Sequence, residues 1–176
     1  MRGSTKGLLV VLSACGLVTE ALPCSLAQPL PSPGELVDTT AVIVHVRAVG
    51  LSNNPDRTAG PVFSETRVDF EVVEIVKGWI SGPVISFKGH IVSRDDFNDV
   101  SMPYGFVRPG GRSGNCFALN YRLGSHYLLF LSEAVEGEGL TPYWSPLAPV
   151  NEQITGPRDS WLLWVKLRMN GREVLD

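Results

Sequence analysis

The amino-acid sequence predicts a small, mainly β domain that ends in a short helix. Residues 40–49 and 65–78 alternate apolar and polar side chains and are rich in β-branched residues, which is typical of strands. Residues 126–131, HYLLFL, form a short apolar run that is typical of a strand buried on both faces. The period changes near the end of the chain, where Asp159 can cap a helix over residues 161–169.

Two further segments complete the predicted sheet. Residues 82–92 give a third strand, and residues 139–151 supply a last one, which its prolines confine to an edge or a bent position. Within residues 65–78 the apolar phase changes after Val72, which indicates a bulge that bends a long strand. About five strands without alternating helices favour a small five-stranded antiparallel barrel of the OB type with a short C-terminal helix. An immunoglobulin-like sandwich is the alternative, but it has about seven shorter strands.

The N-terminal residues predict export. Arg2 and Lys6 precede an apolar run over residues 7–18, which is the charge order of a secretory signal and is too short for a permanent membrane span. Small residues precede two candidate cleavage sites, after Ala21 and after Ala27. Cleavage near Ala21 is favoured and gives a signal peptide over residues 1–21.

An alternative to ordinary cleavage is a lipoprotein signal over residues 1–14. Leu12-Ser13-Ala14-Cys15 resembles the lipobox of bacterial lipoproteins, in which the cysteine is lipidated and becomes the mature N-terminus. Only with Cys15 lipidated do we expect attachment to a bacterial membrane. Otherwise the predicted location is the periplasm or the medium.

The remaining chain is long enough for one compact domain. Residues 22–39 are proline-rich and predict an extended lead-in, and residues 40–176 predict the barrel with its helix. The formal net charge is −3, so the chain has no basic footprint for nucleic acid and we expect no such partner.

The sequence predicts no catalysis, no cofactor and no metal site. His45, His90 and His126 lie in predicted strands without a metal-ligand spacing, so each is interpreted as a side chain on a polar strand face. Whether His45 and His126 approach each other is left open. Residues 93–115 contain DDFND but lack the ligand spacing of a calcium loop, and they predict a solvated loop. Nucleophile motifs such as GxSxG and SxxK are also missing from the sequence.

The three cysteines fit an exported chain. Removing or lipidating Cys15 leaves Cys24 and Cys116, which can then form one disulfide in an oxidising compartment. The alternative, two reduced thiols, fits a cytosolic protein and disagrees with the leader.

Several short motifs occur in a familiar order. Cys24 is followed by a strand that ends in Val76-Lys77-Gly78, and Cys116 is followed by Gly124–Leu128, GSHYL. This arrangement resembles the bacterial relatives of the netrin-like module, the OB-barrel domain of tissue inhibitors of metalloproteinases. The resemblance covers roughly residues 22–150 and implies a disulfide between Cys24 and Cys116 that pins the N-terminal segment to the barrel.

The resemblance implies an exported, non-catalytic module that binds a protein. We expect docking near residues 24–30 and 93–115, and the candidate partner contacts are Cys24, Ser25, Leu26, Tyr104 and Phe106. One alternative is a metalloprotease inhibitor with an extracellular or periplasmic protease as its partner. Pro23 disfavours cleavage directly before Cys24, however, and Leu26 occupies the position of the family's second cysteine. Cys24 is therefore predicted to be an anchor rather than a zinc-chelating terminus.

A second alternative is a carbohydrate- or oligonucleotide-binding barrel. It would use exposed aromatic side chains and, for nucleic acid, basic ones as well. The sequence offers one loop cluster of that kind: Tyr104, Phe106, Arg108 and Arg112.

Overall fold

The computed structural model describes residues 31–53, 66–112, 118–133, 140–142 and 151–171. The elements in these ranges are α1 (Pro33–Thr39), β1 (Val42–Asn53), β2 (Thr66–Lys77), β3 (Val84–Lys88), β4 (His90–Val92), α2 (Pro109–Arg112), β5 (Asn120–Arg122), β6 (His126–Glu133), β7 (Leu140–Pro142), β8 (Asn151–Ile154) and α3 (Ser160–Met169).

The main sheet is antiparallel and has the order β3-β2-β1-β6-β7. β8 pairs with residues 126–129 of β6, while β7 pairs with residues 131–133 of the same strand. β4 and β5 pair in parallel as a separate two-stranded ribbon. The prediction of a mainly β, antiparallel domain with a short C-terminal helix is therefore confirmed. Among the described strands, the pairing path is open between β3 and the edge formed by β7 and β8.

The bulge predicted in the second strand is present in the pairing of β1 with β2. The register shifts between His45 and Val46, which pair with Glu74 and Val72, so Val73 is the extra residue. Two further shifts occur along the same pair of strands. Because each extra residue bends and twists the strand, these two long strands form a curved sheet.

Each face of the sheet packs against its own core. The first core contains Val42, Val44, Val46, Ala48, Val68, Phe70, Ile80, Phe87, Tyr121, Tyr127, Leu129 and Leu131. The second lies under the helices and contains Leu36, Val37, Ile43, Leu128, Phe130, Ile154, Trp161, Leu162, Trp164 and Val165. Alternate residues of β6 enter opposite cores, which confirms the prediction that this strand is buried on both faces. Burying such a side chain stabilises the fold by roughly 1.5–3 kcal/mol.

The extended lead-in predicted over residues 22–39 is wrong for residues 33–39, which form α1. Proline is tolerated at the first turn of a helix, and Pro33 occupies that position. Ser32 and Glu35 form a reciprocal capping box: the Glu35 N–H donates to the Ser32 hydroxyl, and the Ser32 N–H donates to the Glu35 carboxylate. Residues 22–30 lie outside the described ranges.

The C-terminal helix begins where the sequence predicts. The Asp159 carboxylate accepts a hydrogen bond from the Trp161 N–H at 2.9 Å, and a second from the Thr155 N–H at 2.9 Å. Trp161 and Trp164 stack at 5.0 Å in the second core. Leu163 and Leu167 are exposed on the outward face of α3, so apolar side chains are not confined to the buried face of this helix.

The end of β2 at Lys77-Gly78 is confirmed, but the role predicted for the lysine differs. Gly78 has a φ of +75°, which only glycine adopts at low energy. The resemblance to the netrin-like module suggests that Lys77 marks a solvated strand edge. Its ammonium group instead donates to the Val37 and Asp38 carbonyls at 2.9 and 2.8 Å, and so satisfies the C-terminal end of α1.

Candidate interaction surface

The segment that follows β4 is the region where the structure departs most from the sequence-based expectation. Residues 93–112, predicted to be solvated, are tied to the domain interior by Arg108, which is fully buried. Its guanidinium donates to Asp96 at 2.5 Å and to the carbonyls of Asn151 and Ala118, both at 2.9 Å. The guanidinium carbon lies 5.3 Å from the centre of the Tyr121 ring. Residues 95–108 are called the anchored loop below.

Asp96 joins two parts of this segment. Its carboxylate pairs with Arg108 and also accepts from the Gly110 N–H at 2.9 Å. The Asp96 side chain is only 17% exposed, so this ion pair is largely shielded from water. Removing one partner of a shielded ion pair leaves the other charge buried and uncompensated, which is strongly destabilising. The stability of the loop is therefore expected to depend on both Asp96 and Arg108.

Glu152 is a second buried carboxylate at the base of the loop. Its Oε1 accepts from the Arg108 N–H at 3.1 Å, and its Oε2 accepts from Asn98 Nδ2 at 3.0 Å. Burial raises the pKa of Glu152 to about 7, although the Arg108 charge and the hydrogen bonds from Asn98 and Arg108 oppose that rise.

The neighbours of Glu152 on β8 also hold the loop. Gln153 accepts from the Asp96 N–H at 2.7 Å and donates to Asp95 at 2.6 Å. Asn151 donates to the Ala118 carbonyl at 3.0 Å and to the Tyr121 hydroxyl at 2.9 Å. Consecutive side chains of one short strand therefore fix the backbone of the anchored loop and the approach to β5.

The anchored loop presents apolar side chains to solvent. Phe97, Met102 and Phe106 are exposed by 41%, 39% and 47%. Asn98 Nδ2 donates to the Phe106 carbonyl at 2.7 Å, which brings the chain segments that carry Phe97 and Phe106 side by side. The exposed rings thus project from a backbone that buried polar groups hold in place.

The structure separates the two predicted aromatic contacts. Phe106 is exposed, as a partner contact requires, whereas Tyr104 is half-buried with its ring 5.1 Å from that of Trp161. The predicted aromatic and basic cluster is not assembled on the surface, because Arg108 is buried and Arg112 pairs with Asp99.

The other predicted site residues lie outside the described ranges. They are Cys15, Cys24, Ser25, Leu26 and Cys116. The predicted disulfide and the predicted lipidation therefore stay predictions.

The histidines form a pair that the sequence left open. His45 Nε2 and His126 Nδ1 are 2.9 Å apart, although the residues are 81 positions apart in the chain. The polar-face interpretation is wrong for His45, which is fully buried, while His90 is exposed on β4. Burial, and then the neighbouring His126, lower the pKa of His45 to about 4. Burial, and then Arg47, lower the pKa of His126.

Metal-ligating side chains do not gather in groups of three or more anywhere in the described part of the chain. Within the same residues, no helix combines the length and the apolar character needed to cross a bilayer.

No family model matches the chain, and no curated protein matches its sequence.

Sequence reasoning missed the polar cluster beneath the loop, which consists of Asp96, Asn98, Arg108, Asn151, Glu152 and Gln153. Its members come from segments more than forty positions apart, as in the separation of 44 between Arg108 and Glu152. A signal was nevertheless present. Asn151 ends the segment that we predict to be the last strand, and two further polar residues, Glu152 and Gln153, follow it directly. If that strand continues through them, as β8 does, their side chains require polar partners on both faces.

Proposed function

We propose that this protein is an exported, non-catalytic interaction module that binds a protein partner through the anchored loop. The observation that supports the proposal is the exposure of Phe97, Met102 and Phe106 on a backbone fixed by buried polar side chains. Large apolar side chains in water stabilise a monomer little, whereas aromatic side chains dominate the energy of protein interfaces.

The fixed backbone adds to this argument. Binding is weakened by the entropy that a loop loses when a partner orders it, and a loop ordered in advance avoids most of that loss. Arg108 makes three side-chain hydrogen bonds beneath the anchored loop, and Asn98 links Phe106 to Glu152. We infer that this polar network keeps Phe97 and Phe106 in a binding geometry before the partner arrives.

We further propose that the domain is an OB-like barrel related to the netrin-like module. The described strands have the order β3-β2-β1-β6, with β7 and β8 both paired to β6. A closed barrel would require a contact between β3 at one edge of this sheet and β7 or β8 at the other. Phe97, which follows β4, forms a parallel bridge with Gln153 of β8. This bridge joins the chain beyond β3 to the opposite edge, which is the direction in which a barrel would close.

The proposed disulfide would bring the two predicted parts of the surface together. Cys116 is two positions before Ala118, whose carbonyl accepts hydrogen bonds from Arg108 and Asn151. A disulfide between Cys24 and Cys116 would therefore hold Ser25 and Leu26, which directly follow Cys24 in the chain, near the base of the anchored loop.

The intact mass of the protein recovered from its source cells tests the proposed disulfide. We expect a chain that begins after Ala21, carries no lipid and lacks two hydrogens. An acylated Cys15 or two intact thiols would contradict it.

Affinity capture from the envelope and medium of the source cells tests the binding proposal. The wild-type chain is compared with a Phe97→Ser/Phe106→Ser variant and with a control, Leu163→Ser/Leu167→Ser, which removes two exposed apolar side chains from α3. We expect one protein to be captured by the wild type and the control, and lost from the loop variant. Equal capture by all three chains would refute the loop as the binding surface.

The class of the captured protein decides the finer proposal. If it is a zinc protease, titration of its activity with the module should show stoichiometric inhibition, as the resemblance implies. If it has no protease activity, the module is a binding partner only. In both cases the loop variant should require a much higher concentration for the same effect.

A further inference from the structure

An open cleft lies beside the anchored loop. It has a volume of about 420 Å³ and is formed by the end of β4 and the residues after it, the start of α2, and β5. Its lining includes the polar residues Ser93, Arg94 and Asn120. Arg94 directly precedes the anchored loop, and the exposed Phe97 follows three positions later. The cleft therefore adjoins the surface that carries the exposed rings.

The charged side chains of residues 93–112 are paired with one exception. This segment contains three aspartates and three arginines. The ion pairs are Asp95–Arg122, Asp96–Arg108 and Asp99–Arg112. Because Arg122 comes from β5, one arginine of the segment is left over, and that residue is Arg94. Arg94 is exposed, and its guanidinium has no ion pair or hydrogen bond with any residue in the described part of the chain.

Two neutral polar groups share the cleft with Arg94. The Ser93 hydroxyl and the Asn120 side-chain amide also have no hydrogen-bond partner among the residues that the structure describes. A guanidinium donates through five N–H groups, an amide through two and a hydroxyl through one. A carboxylate only accepts, and its hydrogen bonds from a charged donor are the strong ones. The three side chains therefore form a set of donors that suits a carboxylate.

Two carboxylates of the chain itself line the same cleft and would repel an anion if they were free. Asp95 is held by Arg122 at 2.6 Å, and Asp96 is held by Arg108 at 2.5 Å. Each negative charge is thus offset by a guanidinium that contacts it directly. The charge that remains uncompensated at the cleft is the positive charge of Arg94.

One partner segment can contact both Arg94 and the exposed rings. Three residues of chain span at most about 11 Å, so Arg94 and Phe97 lie within that distance of each other. The backbone between them is fixed, because the Asp96 N–H donates to Gln153 at 2.7 Å and Phe97 forms its bridge with the same residue. An apolar centre with charged groups at its rim is the usual arrangement of a protein interface.

We propose that the cleft at Arg94 receives an acidic side chain of the protein partner, so that the surface recognises a carboxylate next to an apolar residue. This inference rests on the proposed function, since the apolar residue is the one that contacts Phe97 and Phe106. It adds to that function the sign of the charge that the partner presents and the place where that charge binds.

The kinetics of binding should separate the two parts of the surface. A charge at the rim of an interface acts mainly on the association rate and on its dependence on salt. The apolar contact at the centre acts mainly on the dissociation rate. Substitution of Arg94 should therefore slow association at low salt, and the difference from the wild type should shrink as salt screens the charges. Substitution of Phe97 and Phe106 should speed dissociation at any salt concentration.

Selection from a display library of random linear peptides tests the inference before the partner is identified. The wild-type mature chain, Arg94→Glu, Arg94→Gln and Phe97→Ser/Phe106→Ser each serve as bait. Arg158→Glu is the matched control, because Arg158 is also exposed and also has no ion-pair partner among the described residues, but precedes α3 instead of the loop. Enriched peptides are synthesised, and their association and dissociation rates are measured at low and at high salt. Urea denaturation confirms that each bait is folded.

We expect the wild type and Arg158→Glu to enrich peptides with an aspartate or glutamate near an aromatic or aliphatic residue. Arg94→Glu should enrich lysine or arginine in place of the acid. For a peptide selected on the wild type, Arg94→Gln should weaken binding about fivefold and Arg94→Glu more, because a like charge then faces the acid.

The outcomes that contradict the inference differ from those that contradict the proposed function. Apolar peptides without an acid that bind Arg94→Glu as tightly as the wild type would overturn the inference and leave the loop as the binding surface. Peptides that bind Phe97→Ser/Phe106→Ser unchanged, or a selection that enriches no peptide, would overturn both.

Discussion

His45 Nε2 lies 2.9 Å from His126 Nδ1, and this contact joins the central strand β1 to β6. His45 is fully buried, and its other ring nitrogen has no hydrogen-bond partner among the described residues. One proton between the two facing nitrogens makes a hydrogen bond, whereas a second proton would place two donors against each other. The arrangement is therefore built for the neutral pair.

The His45–His126 pair predicts a loss of stability in mild acid. Because burial and His126 lower the pKa of His45 in the folded chain to about 4, the unfolded chain binds the proton first as the pH falls below about 6.5. The stabilisation is complete above that pH and is lost progressively toward pH 4, by on the order of 2–3 kcal/mol. Urea denaturation between pH 4 and pH 7 measures it.

The His45→Leu variant isolates the contribution of His45 to stability. Such a variant is needed because burial raises the pKa of Glu152, which gives the wild-type stability a second pH dependence of opposite sign. The difference in unfolding free energy between wild type and variant should decrease as the pH falls from 6.5 to 4. His90→Ala, a change at an exposed histidine outside the pair, is the control and should follow the wild type. A difference that stays constant with pH would show that the pair does not titrate as described.

Removing Arg108 should be among the most damaging single substitutions outside the two cores. Arg108→Ala leaves the largely buried Asp96 carboxylate without its charge partner. It also removes one hydrogen-bond donor from each of the Asn151 and Ala118 carbonyls. Loss of one member of a buried ion pair costs about 3–5 kcal/mol. Denaturant titration should show that loss directly.

Arg112→Ala is the matched control, because its ion pair with Asp99 is much more exposed. Pairs of that kind contribute about 1 kcal/mol or less. Similar losses from Arg108→Ala and Arg112→Ala would mean that the buried network does not anchor the loop.

A comparison of two glycines with nearly equal φ angles distinguishes the cost of backbone strain from the cost of close packing. Gly78 has φ +75° and Gly124 has φ +78°, but a Cβ at Gly78 would lie 2.5 Å from the Ala41 carbonyl oxygen. A Cβ at Gly124 would meet no atom within 4 Å. Gly124→Ala should therefore cost only the left-handed strain, about 1–2 kcal/mol.

Gly78→Ala should cost at least about 1 kcal/mol more than Gly124→Ala, because Ala41 and Val42 must move or the turn must open. The two variants are compared by thermal and urea denaturation under the same conditions. Equal losses would show that the turn after β2 is not packed against the start of β1.

Local signals predicted local features well. The apolar run of β6 and the Asp159 cap of α3 can be identified from neighbouring residues, because their hydrogen bonds and periods span only a few positions. The capping box of α1 is equally local, but the prediction rests on the proline-rich composition around Ser32 and Glu35 and does not use it. A proline just after a capping serine is in fact a favourable helix start.

The candidate site was much less predictable. Phe106 was identified as a contact, but Arg108 was placed with it on the surface because basic residues are usually exposed. Its buried position depends on Asp96, Ala118 and Asn151, which come from three separate segments. The approach of His45 to His126 likewise depends on strand register rather than on spacing.

The central claim is that a protein partner docks on the anchored loop. The most direct test replaces Phe106 with the photo-crosslinking amino acid p-benzoylphenylalanine in the chain expressed by its source cells, and irradiates the cells. Position 97 is a second site on the loop, and position 167 on α3 is the control. We predict one discrete adduct with the same protein at positions 106 and 97 and none at position 167. An adduct of equal yield at position 167, or none at either loop position, would contradict the claim.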